Sequence, residues 1–387
     1  MVYYVLYAIL LSLSIMEFYR YIDLNKKKQI IFIFSLVFIF LSTVRTNVVG
    51  DYWAYKQAYE IMIDVDVPFW RLSYIPFELG YSLLMYLVKS IFGGFHFFLF
   101  IQASVVVILQ YKVTAYWCEC FAIKTPRRKS YELTAYFILW TLYIGHIFSI
   151  RNTLAILICL YAMRFVHEKK IIKFVVTVLL ASMIHISVLV FFPIYILYWI
   201  NLSFRVKLLG VIGAIVLFNQ FASVIIEVIL KLLPKDSQNK VLAYLTGGLG
   251  YGSGRDNAQV IVLILLKAIV NVGVIIFILF LIDRYKKRRM DSLYHRAENA
   301  YVTIYCTGAV LQVVSSFINL AFSRISTPFI YFQFPLFLVF VKTFDRTKWK
   351  SIAFFFLIFY ISLRFFINIS LDGNSYIPFR TIWSEIL

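Results

Sequence analysis

Residues 95–117 read FHFFLFIQASVVVILQYKVTAYW. As a helix this stretch is about 35 Å long, enough to cross a hydrocarbon core about 30 Å thick. Similar apolar runs recur at 2–19, 29–44, 79–93, 132–149, 151–166, 170–185, 187–201, 206–231, 259–282, 298–320, 326–343 and 350–369. Of the 387 residues 62% are hydrophobic and 15% charged, and the mean hydropathy is +0.84. A water-soluble protein of this size lacks the polar residues to cover itself at that composition. Backbone groups in lipid must satisfy their own hydrogen bonds, so runs of this length imply helices, and alternating strands of about ten residues are absent. The expected fold class is therefore all-α: a polytopic bundle forming one transmembrane domain over 1–387.

The formal net charge is +19. A nucleic-acid binder would carry that charge on a basic soluble face or arm, and none is present. Lys and Arg concentrate instead in Lys26–Lys28, Lys124–Lys129, Lys286–Arg289 and Lys342–Lys350, and more weakly in His167–Lys173 and Arg205–Lys207. The positive-inside rule puts these connectors in the cytoplasm. Segments 45–78 and 232–258 then become long outward loops. The run 79–93 is short and ends in Gly93-Gly94, and counting it as a full crossing leaves an odd number. We read it as re-entrant or tilted. About twelve crossings remain, with both termini outside. The run from Val2 lacks a basic leader and continues too long for a cleavable signal, so it reads as the first span. Cys118 and Cys120 lack a matching His or Cys pair for zinc, while Cys159 and Cys306 read as packing residues.

Long outward loops are where function concentrates. Segment 247–255 (GGLGYGSGR) follows no strand and lacks the Gly-Lys-Ser/Thr of a phosphate loop, so it reads as a flap or a tether. Arg45 closes the second run, Arg151 opens the sixth, Arg324 precedes Ile325, and His185 sits between two apolar runs. Charge at this depth is retained where it meets a cavity or a partner. Guanidinium groups bind phosphate oxygens in a fork, and a helix N-terminus at Arg151 adds its dipole. Together they suit the anionic headgroup of a lipid pyrophosphate. Each also has a plainer reading. A boundary arginine reaches to headgroups, a reading that covers Arg364 and Arg380. Arg71 and Arg255 fit a solvated loop, and His185 with Ser187 fits a packing pair. Asp51, six residues after Arg45, either accepts a proton from a sugar hydroxyl or fixes its loop through an arginine. The same choice at Glu78 favours the structural role.

At these residues the chain resembles the EpsG/Wzy-type polysaccharide polymerases. The matching pieces are Arg45 to Tyr55 (RTNVVGDYWAY), Phe77 to Tyr81 (FELGY), Arg151 to Ala155 (RNTLA), Ala181 to Leu189 (ASMIHISVL), Arg324-Ile325 and Tyr376 to Phe379 (YIPF). They appear in family order over nearly the whole chain. Asn152 stands where the family has Gln, Gly50 where it has Thr or Ser, and Phe379 where it has Tyr.

The resemblance implies an inverting C-type glycosyltransferase with a GT-C-like bundle in the bacterial cytoplasmic membrane, its active site facing outward. It implies undecaprenyl-pyrophosphate-linked oligosaccharides as donor and acceptor, for O-antigen lipopolysaccharide or capsule, with a chain-length regulator as a further partner. No metal, nucleotide sugar or other cofactor, and no nucleic acid, is implied. Arg45, Arg151 and Arg324 would hold pyrophosphate, with Arg151 also acting in catalysis. Asp51 or His185 would help deprotonate the acceptor. Tyr52, Trp53, Tyr55, Trp70, Glu78 and Arg255 would meet the glycan, the aromatics by stacking on sugar faces. A lipid-linked oligosaccharide flippase would place its charges deep between two similar halves with short loops. A membrane acyltransferase would need more than His185, and a ligase to lipid A core would differ mainly in its acceptor.

Overall fold

The computed structural model describes residues 2–20, 22–46, 52–62, 77–120, 131–142, 150–200, scattered positions within 202–213, and 292–318, 326–344, 348–371 and 381. Every element described is helical apart from one isolated bridge, Arg45 to Thr381. The chain divides into two compact units, 1–189 with 344–387, and 190–343.

The first unit holds α1 (Val2–Tyr19), α2 (Leu24–Val44), α3 (Tyr52–Ile61), α4 (Leu79–Phe92), α5 (Phe95–Cys120), α6 (Glu132–Leu142), α7 (Ile150–His167), α8 (Ile171–Ser182) and a last helix (Lys350–Leu371). Among the described residues α1, α2 and α5 are long and apolar enough to cross a membrane. The run at 95–117 becomes α5, 26 residues long. By contrast α4 has 14 residues, short of the ~20 that a crossing takes, whereas the 12 residues of α8 are followed closely by a 3-10 turn, Ile186–Phe191.

Paired side chains fix how these helices run. Phe18 stacks on Phe354 at 3.8 Å, and Tyr7 stacks on Phe365 at 4.3 Å, so α1 and the last helix are antiparallel. His96 Nδ1 lies 2.8 Å from the Thr43 carbonyl, which joins the start of α5 to the end of α2. Tyr116 hydrogen-bonds His167, and Lys112 lies over the Tyr161 ring, so α5 and α7 run parallel. One end of the unit therefore gathers Glu17, Lys27, Glu132 and Lys350. The other gathers Arg45, Phe95, His96 and the first turn of α7.

A buried ionic cluster locks the first of these ends. Lys27 Nζ lies 2.8 Å from Glu17 Oε1 and 3.3 Å from Glu132 Oε2. Glu17 also accepts hydrogen bonds from the Leu133 and Thr134 amides and the Thr134 hydroxyl. These are the first amides of α6, which lack partners within their own helix and favour a negative charge. Lys27 therefore does more than mark a cytoplasmic connector: it neutralises the carboxylate that caps another helix.

Gly93 turns α4 into α5 with φ 77°, a conformation that suits glycine, and its amide donates to the Lys89 carbonyl. Near the opposite end of α4 the Tyr81 hydroxyl donates to Gln102 Oε1 at 3.2 Å. The two ends of α4 thus meet α5 at points only about 10 Å apart along its axis. Segment 45–78 also contains more than a loop. In α3, Tyr52, Tyr55 and Tyr59, followed by Met62, bury one face against Tyr81, Met85, Phe95 and Phe98.

The second unit contains α9 (Phe192–Trp199), α10 (Ser292–Ile318), α11 (Thr327–Ile330) and α12 (Gln333–Phe344), and the last helix of the first unit becomes α13 in chain order. Tyr301 of α10 packs on Tyr198 and on Phe332. Gly308 lets α10 approach α11 so closely that a Cβ there would meet Phe329. Lys207 Nζ donates to the Asn299 carbonyl at 3.0 Å. The runs 206–231 and 259–282 and the loop 232–258 lie almost wholly outside the described residues.

Replacing Lys27 by Met leaves Glu17 and Glu132 without their cation. Thermal unfolding in detergent should show a loss of about 3–5 kcal/mol, partly restored by adding Glu17→Gln. An unchanged melting temperature would show that the cluster does not hold this end together.

Candidate functional site

Three separated segments meet at the end of the first unit that carries Arg45. Phe77 and Glu78 lead into α4, Arg151 and Asn152 open α7, and Met183 to Ser187 join α8 to a 3-10 turn, Ile186–Phe191. Glu78 connects all three. Its Oε2 accepts from Arg151 Nη1 at 2.6 Å, and its Oε1 accepts from the Ile186 amide at 2.9 Å. Both carboxylate oxygens are thereby committed. The arrangement makes Glu78 the residue that aims Arg151.

The docking extends to backbone. The Gly80 and Tyr81 amides donate to the Met183 carbonyl at 2.9 and 3.2 Å, so the carbonyl caps the start of α4. A Cβ on residue 80 would stand 2.8 Å from Met183 Cβ and 2.9 Å from its carbonyl oxygen. Glycine is required here for close approach.

Arg151 presents its guanidinium to a polarised, partly enclosed setting. Its Cζ lies 4.8 Å from the Phe77 ring centre and 6.0 Å from that of Tyr81, within reach of cation–π attraction. Its Nε is buried and has no hydrogen-bond partner. The ion pair is only partly exposed, so its charge is weakly screened compared with a surface pair. Ser187 Oγ donates to Asn152 Oδ1 at 3.4 Å, and the Ser187 amide donates to His185 Nδ1 at 3.2 Å. With Nδ1 accepting, a neutral His185 carries its proton on Nε2.

These contacts join three of the six short sequence pieces singled out above, 77–81, 151–155 and 181–189. The model of the EpsG family matches residues 28–381. The chain belongs to the EpsG family. Membership in this Wzy-type polymerase family supports a role in polymerising lipid-linked oligosaccharide repeat units, and with it a glycosyltransferase activity and a membrane location. No curated protein and no solved structure matches the chain.

The remaining candidate residues of this EpsG-family chain fall into four groups. Arg45 is 4% exposed at the C-terminus of α2, where it hydrogen-bonds Tyr3 and its backbone bridges Thr381. It lies at the same end of the unit as Arg151, because Thr43 meets His96 there, Phe95 packs on Tyr52, and Tyr55 packs on Phe77. Tyr52 and Tyr55 are core residues, their rings turned into the cluster beneath α3. Trp53 is 43% exposed, with Lys56 over one face of its ring at 5.3 Å. Asp51, Trp70, Arg71, Arg255, Arg324 and Arg380 lie outside the described residues.

Sequence reasoning treated Gly80 as part of a motif and missed its close approach to Met183. It also assigned Arg364 to headgroup contact, whereas Arg364 is 3% exposed within α13. Gly80→Ala should lower thermal stability by about 1–3 kcal/mol through overpacking against Met183. Chain extension should fall with it, because the shift displaces Glu78 and so Arg151. Wild-type stability and chain length in that variant would show that the approach is not constraining.

Proposed function

We propose that the chain elongates a polysaccharide on the outer face of the bacterial cytoplasmic membrane. It would transfer the growing glycan from its undecaprenyl-pyrophosphate carrier to the next lipid-linked repeat. The observation that carries this reading is the Arg151 guanidinium, held by Glu78 at the start of α7 with a buried, unpartnered Nε. A guanidinium in this position would receive phosphate oxygens, with the α7 dipole adding to the attraction.

In this mechanism the acceptor hydroxyl attacks the donor's anomeric carbon in line and inverts it. The glycosidic bond to pyrophosphate breaks as the new one forms. Negative charge grows on the leaving pyrophosphate, and Arg151 with Arg45 and Arg324 offsets it. Asp51 accepts the acceptor's proton. His185, whose Nδ1 is occupied by the Ser187 amide, assists as an Nε2 donor to a substrate oxygen, a role that replaces general base in its neutral form. Trp53 and Trp70 would provide faces for sugar rings, and Arg255 would be a further glycan contact.

The accompanying topology is one transmembrane domain of about twelve crossings, GT-C-like, with both termini outside and α4 as the segment that does not cross. The basic connectors belong to the cytoplasmic side. The short span that α4 covers along α5 supports its tilted placement.

Reconstitution in proteoliposomes with a purified lipid-linked repeat unit should give a ladder of longer lipid-linked products. Arg151→Ala should reduce extension by at least a hundredfold, the scale of losing one transition-state donor, while the protein still inserts. Arg151→Lys should also be poor, since an ammonium cannot form the fork. Repeats moved between leaflets without extension would favour a flippase, and normal chains from Arg151→Ala would remove Arg151 from the mechanism.

A further inference from the structure

Arg364 is the most anomalous charge among the described residues. It lies on the buried face of α13, flanked by Tyr360, Ile361 and Phe365, all nearly inaccessible. Its Nε and Nη1 are buried without hydrogen-bond partners, and among the described residues no carboxylate and no aromatic ring engages it. A buried guanidinium normally has such partners, because stripping it of water without replacement is costly. Headgroup contact does not explain it, since a snorkelling arginine exposes its charged end.

Its position along the bundle is informative. Phe365, the next residue, packs on Tyr4 and Tyr7 near the start of α1. Ser362 hydrogen-bonds the Tyr7 hydroxyl. Tyr3, one turn before Tyr7 on the same face of α1, hydrogen-bonds Arg45. Arg364 therefore belongs to the half of the first unit that carries Arg45, and opposite the Glu17–Lys27–Glu132 cluster. The contacts at Tyr7 place it about 8 Å below the start of α1, deeper than the end of α2.

We propose that Arg364 is a phosphate-binding residue, a deep subsite for the pyrophosphate of a lipid-linked substrate. The identity of that ligand rests on the polymerase reading above; the buried unpaired charge does not. Polymerisation brings two lipid pyrophosphates into one protein, as leaving group and as carrier of the acceptor. Arg151 is already paired with Glu78, whereas Arg364 has no carboxylate partner among the described residues and two buried N–H donors without acceptors. An anion entering beside it gains charge-assisted hydrogen bonds and relieves the exposed cost of burial. In the unliganded protein the same charge weakens the fold.

The test uses the full chain in phosphatidylcholine nanodiscs with farnesyl pyrophosphate as probe, and farnesol and phosphatidylglycerol as comparisons. Arg364→Met should melt at or above the wild-type temperature without ligand and bind the probe at least tenfold more weakly, the effect of losing a charged hydrogen bond. Arg364→Lys should fall between the two, and farnesol should bind all three alike. Arg364→Leu serves where the Met variant does not accumulate. Unchanged probe binding by Arg364→Met overturns the assignment. So does a lower melting temperature in both apolar variants, which would mean that Arg364 packs rather than binds. Displacement of the probe by phosphatidylglycerol at equal affinity would overturn it in favour of a bulk headgroup. Wild-type protein that binds the probe through Arg364 but never extends chains would end the polymerase reading and leave this subsite standing.

Discussion

The carboxylate of Glu78 is the constraint on which the described site depends. It joins the entrance of α4 to the first turn of α7 and to the amide after His185. A buried or half-buried carboxylate needs its oxygens satisfied, and here each oxygen has one partner from a different segment. The result is a guanidinium fixed in direction by a charge-assisted bond, with part of its donor set left unused. Such preorganisation matters more for a leaving phosphate than the presence of an arginine alone, since a donor already in place needs no rearrangement as charge develops.

The second constraint lies at the opposite end of the same unit. Lys27 offsets Glu17 and Glu132, and Glu17 in turn caps α6. Fully partnered charge there contrasts with partly partnered charge around Arg151 and, among the described residues, with a guanidinium at Arg364 that lacks a carboxylate. Saturated networks rigidify, whereas an incompletely satisfied buried group calls for an explanation of its own. The same elementary rule, that charge in a low-dielectric interior must be compensated, accounts for the Lys27 cluster and for the Glu78–Arg151 pair alike.

Much of this was legible from residue order. The run 95–117 announces a helix by length and composition, and α5 follows it. The breaker pair Gly93-Gly94 marks the turn out of α4, and Gly93 adopts the positive φ that a side chain resists. Arg151 could be singled out because it opens an apolar run. The partnership of Arg151 with Glu78 could not, because 73 residues separate them and nothing local links the two. The helix α3 was hidden within a polar-looking segment. Its signal was present in the spacing of Tyr52, Tyr55, Tyr59 and Met62, which lie on one helical face. That spacing also explains why Tyr52 and Tyr55 are committed to the core while Trp53, on the other face, stays exposed. Burial of Arg364 depends on how α13 rotates against α1 and α6, which a run of apolar residues on every side does not specify.

The most direct measurement is an experimental structure of the protein in a lipid nanodisc with a lipid-linked repeat unit bound. The account requires the pyrophosphate to lie within hydrogen-bond distance of the Arg151 guanidinium, at the end of the bundle opposite Lys27. Pyrophosphate seated among the basic connectors beside Lys27, or an Arg151–Glu78 pair remote from any phosphate, would contradict it.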